Sequence, residues 1–147
     1  MKPVLYVSHS KRGLFYYNDA SARYRCVFPA EELIANGETA HAIHFSQIDK
    51  LQLSDYRKII FHRPQYSFKL WRTIRTAQKN QIEHWVDFDD LLFCPKLSNT
   101  SAAVQSGKMS ATLAKKHAQR YLKALQLFTH CQVSTDALAD ELAKLKK

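Results

Sequence analysis

Three carboxylates lie close together in the sequence, in the segment Asp87-Phe88-Asp89-Asp90. Like charges at this spacing repel one another, which raises at least one pKa and costs stability unless a cation or a ligand offsets the charge. A carboxylate in a crevice can serve as a general base or contact a ligand. The candidate catalytic residues are therefore Asp87, Asp89 and Asp90. In the alternative interpretation, Asp90 caps the following turn and the other two are solvated.

Two arginine-containing segments are candidates for binding an anion. One is Phe61-His62-Arg63-Pro64, and the other is Ser21–Cys26, which begins a predicted helix. The free N–H groups and the dipole of a helix N-terminus favour anions, and neighbouring arginines strengthen such a site. The candidates from these segments are Arg23, Arg25 and Arg63. Alternatively, Arg63 pairs with a surface acid and the other two form a solvated basic turn.

The chain carries a formal net charge of +9, from 22 Lys and Arg against 13 Asp and Glu. Such an excess indicates anionic partners. No acidic residue occurs between Asp90 and Asp136, and a basic helix face runs through that region with Lys115, Lys116, Arg120 and Lys123. This face is either solvated or bound to anionic lipid head groups. Nucleic acid is the weaker hypothesis because the chain has no recognition motif for it, and we expect no nucleic-acid partner.

Neither a metal site nor a self-contained cofactor site is expected. The seven histidines have no metal-ligand spacing, and the three cysteines include no Cys-x-x-Cys pair. Only three glycines occur, without a Gly-x-Gly-x-x-Gly or Walker A loop. No run approaches the ~20 apolar residues of a membrane span, and the apolar run near Met1 is too short for a signal peptide. We therefore expect a cytoplasmic protein.

Apolar patterning predicts alternating strands and helices. Predicted strands are Val4–Val7, Thr39–Phe45, Arg57–His62, Ile82–Phe88 and Thr129–Val133. Predicted helices are Ala20–Asn36, which Pro29 should kink or divide in two, Ser67–Asn80, Val104–Phe128 and one that begins at Ser134. This alternation predicts one Rossmann-like α/β domain with a five-stranded, mainly parallel sheet and helices on both faces. Adjacency rules favour the strand order 3-2-1-4-5. Ligands of such sheets bind where the order reverses, here between strands 1 and 4.

Five segments, in order, resemble the amino-terminal half of a two-domain GT-B-fold glycosyltransferase of the type that builds bacterial surface polysaccharides. They are Ala22-Arg23-Tyr24-Arg25-Cys26, Pro29–Leu33 with Asn36-Gly37, Ile59–Pro64, Val86–Phe93 and Val133–Leu142. The resemblance covers nearly the whole chain. It implies an acceptor-side domain that needs no metal or cofactor and uses a nucleotide-sugar as co-substrate. It also places His9, Gly13, His62, Arg25 and Arg63, together with the three carboxylates above, at or near the substrate cleft.

The second domain of that family, which grips the nucleotide-sugar, has no counterpart in this chain. We therefore expect a fragment, a truncated product or half of a two-chain enzyme that is inactive alone. The resemblance implies transfer of a sugar to a cell-surface glycan or a lipid-linked acceptor. From the charge pattern, we expect the basic helix to keep the domain at the inner face of the membrane. The alternative is a non-catalytic basic module that binds an anionic membrane or an acidic partner.

Overall fold

The computed structural model describes residues 1–145 and confirms the α/β class. A single five-stranded sheet, entirely parallel, is formed by β1 (Val4–Ser8), β2 (Ala40–His44), β3 (Lys58–His62), β4 (Glu83–Phe88) and β5 (His130–Val133). The helices are α1 (Ala20–Ala22), α2 (Phe28–Ala35), α3 (Phe68–Lys79), α4 (Ala102–Gln105), α5 (Ala111–Leu125) and α6 (Asp136–Lys144). Within residues 1–145, no helix is both long and apolar enough to cross a membrane.

The strand order is β2-β1-β3-β4-β5, so the predicted order 3-2-1-4-5 is wrong. In β3 the run Ile59-Ile60-Phe61 is buried on both faces, as is typical of a central strand in a parallel sheet. In β2, by contrast, histidines alternate with apolar residues and most positions are partly exposed, as suits an edge strand. The order therefore reverses between β1 and β3, and the loops that follow these two strands border the crevice.

Alternation along the strands divides the core into two layers. On one face, Leu5 and Phe61 pack against α3 and α5, and Val86 packs with α6. On the other face, Tyr6 and Ile60 pack against the helix that contains Cys26 and Ala30. The last residue of each of β1, β3 and β4 on this second face is polar. These residues are Ser8, His62 and Asp87, which are buried and lie side by side in the sheet.

The helical segment after the first loop is widened rather than broken at Pro29. A π-helical turn, Arg23–Val27, joins α1 to α2, and the N–H of Phe28 donates to the carbonyl of Arg23. Proline has no N–H to donate, and its ring clashes with the carbonyl four residues earlier, so a wider turn relieves that contact. This turn carries Arg25 over the polar end of the sheet.

The predicted helix Val104–Phe128 is wrong as a single element. Its first part is the short α4, which ends before Gly107, where φ is +73°. Glycine adopts this left-handed conformation without steric cost and so ends the helix. A new helix, α5, then begins after Ser110, whose side chain accepts a hydrogen bond from the N–H of Leu113.

Candidate functional site

Asp87 is the most deeply buried charged group at the carboxyl end of the sheet. Its side chain is fully buried, and both its oxygens accept hydrogen bonds from the Arg25 guanidinium, with Nε at 2.8 Å and Nη2 on the second oxygen. Such a two-point pair fixes both side chains. The predicted candidates Asp87 and Arg25 are therefore each other's partner, and the Asp87 carboxylate is shielded from solvent.

Asp89 lies at the centre of a second set of contacts. The Ser21 hydroxyl donates to one carboxylate oxygen, while the other lies 3.1 Å from His62 Nε2 and 2.6 Å from Arg63 Nε. Partial burial alone would raise the pKa of Asp89, but the hydrogen bonds from His62, Arg63 and Ser21 outweigh it and hold the pKa far below its usual range. Asp89 is thus a firmly ionised acceptor.

Arg63 adopts a left-handed backbone conformation, with φ at +50°. A non-glycine residue in this region costs about 1–2 kcal/mol. Two contacts hold it there: its N–H donates to the Asp87 carbonyl at 2.9 Å, and its Nε donates to Asp89. The strained turn directs the guanidinium of Arg63 into the crevice, where its side chain stays 30% exposed.

At this edge of the sheet, His9 and His62 each have one ring nitrogen that is buried and makes no hydrogen bond to a described residue. Because ionised Asp89 can only accept, His62 Nε2 carries the proton, and in the neutral ring Nδ1 is then a lone-pair acceptor. His9 Nδ1 lies 3.2 Å from the His62 carbonyl, and its ring stacks on Phe45. Among the described residues, neither His62 Nδ1 nor His9 Nε2 has a hydrogen-bond partner. Burial lowers the pKa of His9 to about 3.

The predicted anion site at the start of the first helix is filled by the protein itself. Asp19 caps α1, and its carboxylate accepts from the N–H groups of Ser21 and Ala22. It also accepts from the Ser10 hydroxyl at 2.6 Å. A ligand anion would need the same N–H groups, so the helix N-terminus is not available to it.

A pocket of about 320 Å³ opens beside this cluster, and we call it the polar pocket. Its polar lining consists of His9, Ser10, Lys11, Arg12, Asp19, His62 and Arg63. Leu92 and Tyr121 close its remaining side. Among residues 1–145, neither the Lys11 ammonium nor the Arg12 guanidinium forms an ion pair. Both positive charges are therefore available to an anionic ligand in the polar pocket.

Positive charge extends from the polar pocket onto α5. The pKa of His117 is lowered by burial first and then by the charges of Lys11, Arg120 and Lys116, which places these cations around one imidazole. Arg120 Nη2 also donates to the Tyr66 carbonyl at 3.4 Å, and Lys123 lies 3.9 Å from the centre of the Tyr66 ring. All four predicted basic residues of α5, Lys115 included, are exposed. Contact of this face with a membrane remains a prediction.

Three predicted site residues stay outside the hydrogen-bonded cluster. Asp90 is exposed and accepts from the N–H of Leu91, in agreement with its alternative role as a cap. Gly13 opens a 3-10 turn (Gly13–Asn18) with φ at +57°. Arg23 lies in the π-helical turn, and no side-chain hydrogen bond or ion pair joins it to another residue of the range 1–145.

Sequence reasoning assigned no role to Ser10, Lys11, Arg12 or Asp19. The signal for Asp19 was present, since Asp directly before a predicted helix is a common cap. Within residues 1–145, no cluster of three or more His, Cys, Asp or Glu residues could hold a metal ion. Comparisons of the chain with protein-family models, with curated proteins and with solved structures give no match.

Proposed function

We propose that this chain is the acceptor-side domain of a glycosyltransferase. In this proposal, the polar pocket holds a glycan acceptor that carries an anionic group. A second domain or a partner chain supplies the nucleotide-sugar. The proposed reaction is the transfer of a sugar to a cell-surface glycan or lipid-linked acceptor.

The convergence of the resembling segments carries this proposal. Arg25, His62 with Arg63, and Asp87 with Asp89 come from three segments far apart in the sequence, and all contribute to one hydrogen-bonded cluster. A fourth segment contributes Ser134, whose hydroxyl donates to the Asp89 carbonyl at 3.3 Å. The cluster lies at the carboxyl ends of parallel strands, which is where sheets of this kind bind ligands.

In the proposed mechanism, the carboxylates position other groups rather than take protons. Asp87 is shielded by Arg25, and the low pKa of Asp89 makes it a weak base. Asp89 instead fixes the His62 ring and aims Arg63 into the pocket. We assign the role of proton acceptor to the lone pair on His62 Nδ1, since His62 lines the polar pocket and this nitrogen has no hydrogen-bond partner among the described residues.

Binding of small ligands tests the proposal. By calorimetry, we expect glucose 1-phosphate to bind more tightly than either inorganic phosphate or glucose, because the polar pocket offers both cations and hydroxyl partners. Arg63→Gln should weaken this binding about tenfold or more, since it removes a charge-assisted hydrogen bond. The control Lys79→Gln removes a charge from the exposed end of α3 and should change nothing.

Three results would contradict the proposal. If glucose 1-phosphate bound no more tightly than inorganic phosphate, the pocket would recognise an anion and not a glycan. If Arg63→Gln and Lys79→Gln weakened binding equally, the affinity would come from net positive charge and not from the polar pocket. A nucleotide-sugar that bound most tightly of all would instead place the donor in this chain.

A further inference from the structure

Ser10 anchors the loop that carries two cations of the polar pocket. Its N–H donates to the Ser8 hydroxyl at 3.1 Å, and its own hydroxyl donates to Asp19 at 2.6 Å. The same hydroxyl accepts from the N–H of Arg12 at 3.2 Å. The Ser10 carbonyl accepts from the N–H of Gly13 at 3.1 Å, which closes the turn between these two residues. The backbone of this turn is therefore held at several atoms of one residue.

His44, the last residue of β2, makes a further contact to this anchor. Its Nδ1 accepts from the N–H of Ser46 at 3.2 Å and so caps the 3-10 helix Phe45–Lys50. Because Nδ1 is an acceptor, the proton of the neutral ring is on Nε2. This nitrogen donates to the Ser10 carbonyl at 2.9 Å. One imidazole thus holds a helix end with one nitrogen and the loop of the polar pocket with the other.

The far end of the same loop is also attached to β2. The Tyr16 hydroxyl donates to the Ala42 carbonyl at 2.8 Å. Lys11 and Arg12 lie between the two attachments, and both are exposed. Among residues 1–145, neither of these side chains forms a hydrogen bond or an ion pair. Their placement in the polar pocket therefore depends on the backbone that the two attachments hold.

We propose that His44 is a positioning residue for an anion in the polar pocket. This inference rests on the proposed function and adds a residue that does not itself line the pocket. A loop that is already held in place loses less freedom when it binds a ligand, so its binding is tighter. His44 acts through the Ser10 carbonyl on the direction of Lys11 and Arg12.

Two substitutions separate the contacts of His44, because an amide side chain can replace either ring nitrogen. In His44→Asn the amide lies near the position of Nδ1, where it can accept from Ser46 but cannot reach Ser10. In His44→Gln the amide nitrogen lies near the position of Nε2, where it can donate to Ser10. By calorimetry with inorganic phosphate, His44→Asn should weaken binding about three- to tenfold, and His44→Gln by no more than about twofold.

Stability should follow the opposite order, which a merely structural role would not produce. His44→Asn keeps a favourable helix cap, whereas His44→Gln loses it. In urea unfolding, His44→Asn should therefore be the more stable of the two variants although it binds phosphate more weakly. The control His41→Asn makes the same substitution in the same strand, at a histidine that contacts Tyr56, and should leave phosphate binding unchanged.

The motion of the loop gives a readout that needs no ligand. Backbone amide order parameters of Lys11 and Arg12 should be about 0.85 in the wild type and in His44→Gln, and should fall towards about 0.6 in His44→Asn. Unchanged order parameters in His44→Asn would overturn the inference, because His44 would then not hold the loop.

The binding outcomes distinguish this inference from the proposed function. Equal phosphate affinities of His44→Asn and His44→Gln, with a preserved preference for glucose 1-phosphate, would overturn the role of His44 alone. A selective loss in His44→Asn, without any preference for glucose 1-phosphate, would support the role of His44 and contradict the proposed function. Absence of phosphate binding by the wild-type chain would overturn both.

Discussion

Arg25→Met should lower the free energy of unfolding by about 3–5 kcal/mol, the largest effect we expect from any single substitution in the site. The substitution leaves the Asp87 carboxylate in a fully buried position without its cation. The double variant Arg25→Met/Asp87→Leu removes both charges, so it should be more stable than Arg25→Met alone. Urea unfolding followed by circular dichroism measures all three free energies.

Arg57→Met provides the matched control for this cycle. Arg57 also pairs with a carboxylate, that of Glu38, but through Nη2 alone, and both side chains are more than a third exposed, at 39% and 34%. An exposed pair contributes at most about 1 kcal/mol. Equal losses from the two Arg→Met substitutions, or a double variant no more stable than Arg25→Met, would show that burial of Asp87 does not set the energetics of the site.

Lowering the pH from 7 to 5 should cost the protein about 2 kcal/mol of stability through His9 alone. The pKa of His9 is about 3 in the folded chain, against 6.5 in the unfolded one, so the unfolded state binds the proton first. The contribution is present above pH 6.5 and is lost as the pH falls towards 3. His117 adds a smaller loss in the same direction, since its pKa is also lowered.

His9→Phe removes the titrating group and keeps an aromatic ring against Phe45. At pH 7 it should cost about 1 kcal/mol, because the hydrogen bond to the His62 carbonyl is lost. Between pH 7 and pH 5, the variant should lose much less stability than the wild type. The control His130→Gln, at an exposed position, should retain the full loss. A His9→Phe variant as acid-sensitive as the wild type would contradict the burial of a neutral His9.

The meeting of the site residues was predictable because parallel strands bring their carboxyl ends to one edge. His62 and Asp87 end neighbouring strands, and Arg25 follows the loop after β1, so their proximity required only the correct fold class. The strand order was predictable too, from the histidines of β2 and the fully apolar run of β3. The adjacency rules, which favour consecutive strands as neighbours, predicted instead the wrong order 3-2-1-4-5.

Other features depended on tertiary contacts that no sequence pattern specifies. Spacing alone does not show that Asp19 occupies the first N–H groups of α1, or that Ser10 supports it through a hydroxyl. The break between α4 and α5 was signalled by Gly107 and Ser110, but the helical pattern on either side concealed it. The approach of Lys11 to His117 of α5 depends on how the loop after β1 packs.

The most direct test of the proposed acceptor site is a map of backbone amide chemical shifts as glucose 1-phosphate is added to the isotope-labelled chain. Our account predicts saturable changes confined to Ser8–Arg12, His62–Arg63 and Asp89, with the lysines at the exposed start of α5 unaffected. Changes centred on Lys115 and Lys116, or spread evenly over the basic surface, would contradict it, because the ligand would then follow net charge and not the polar pocket.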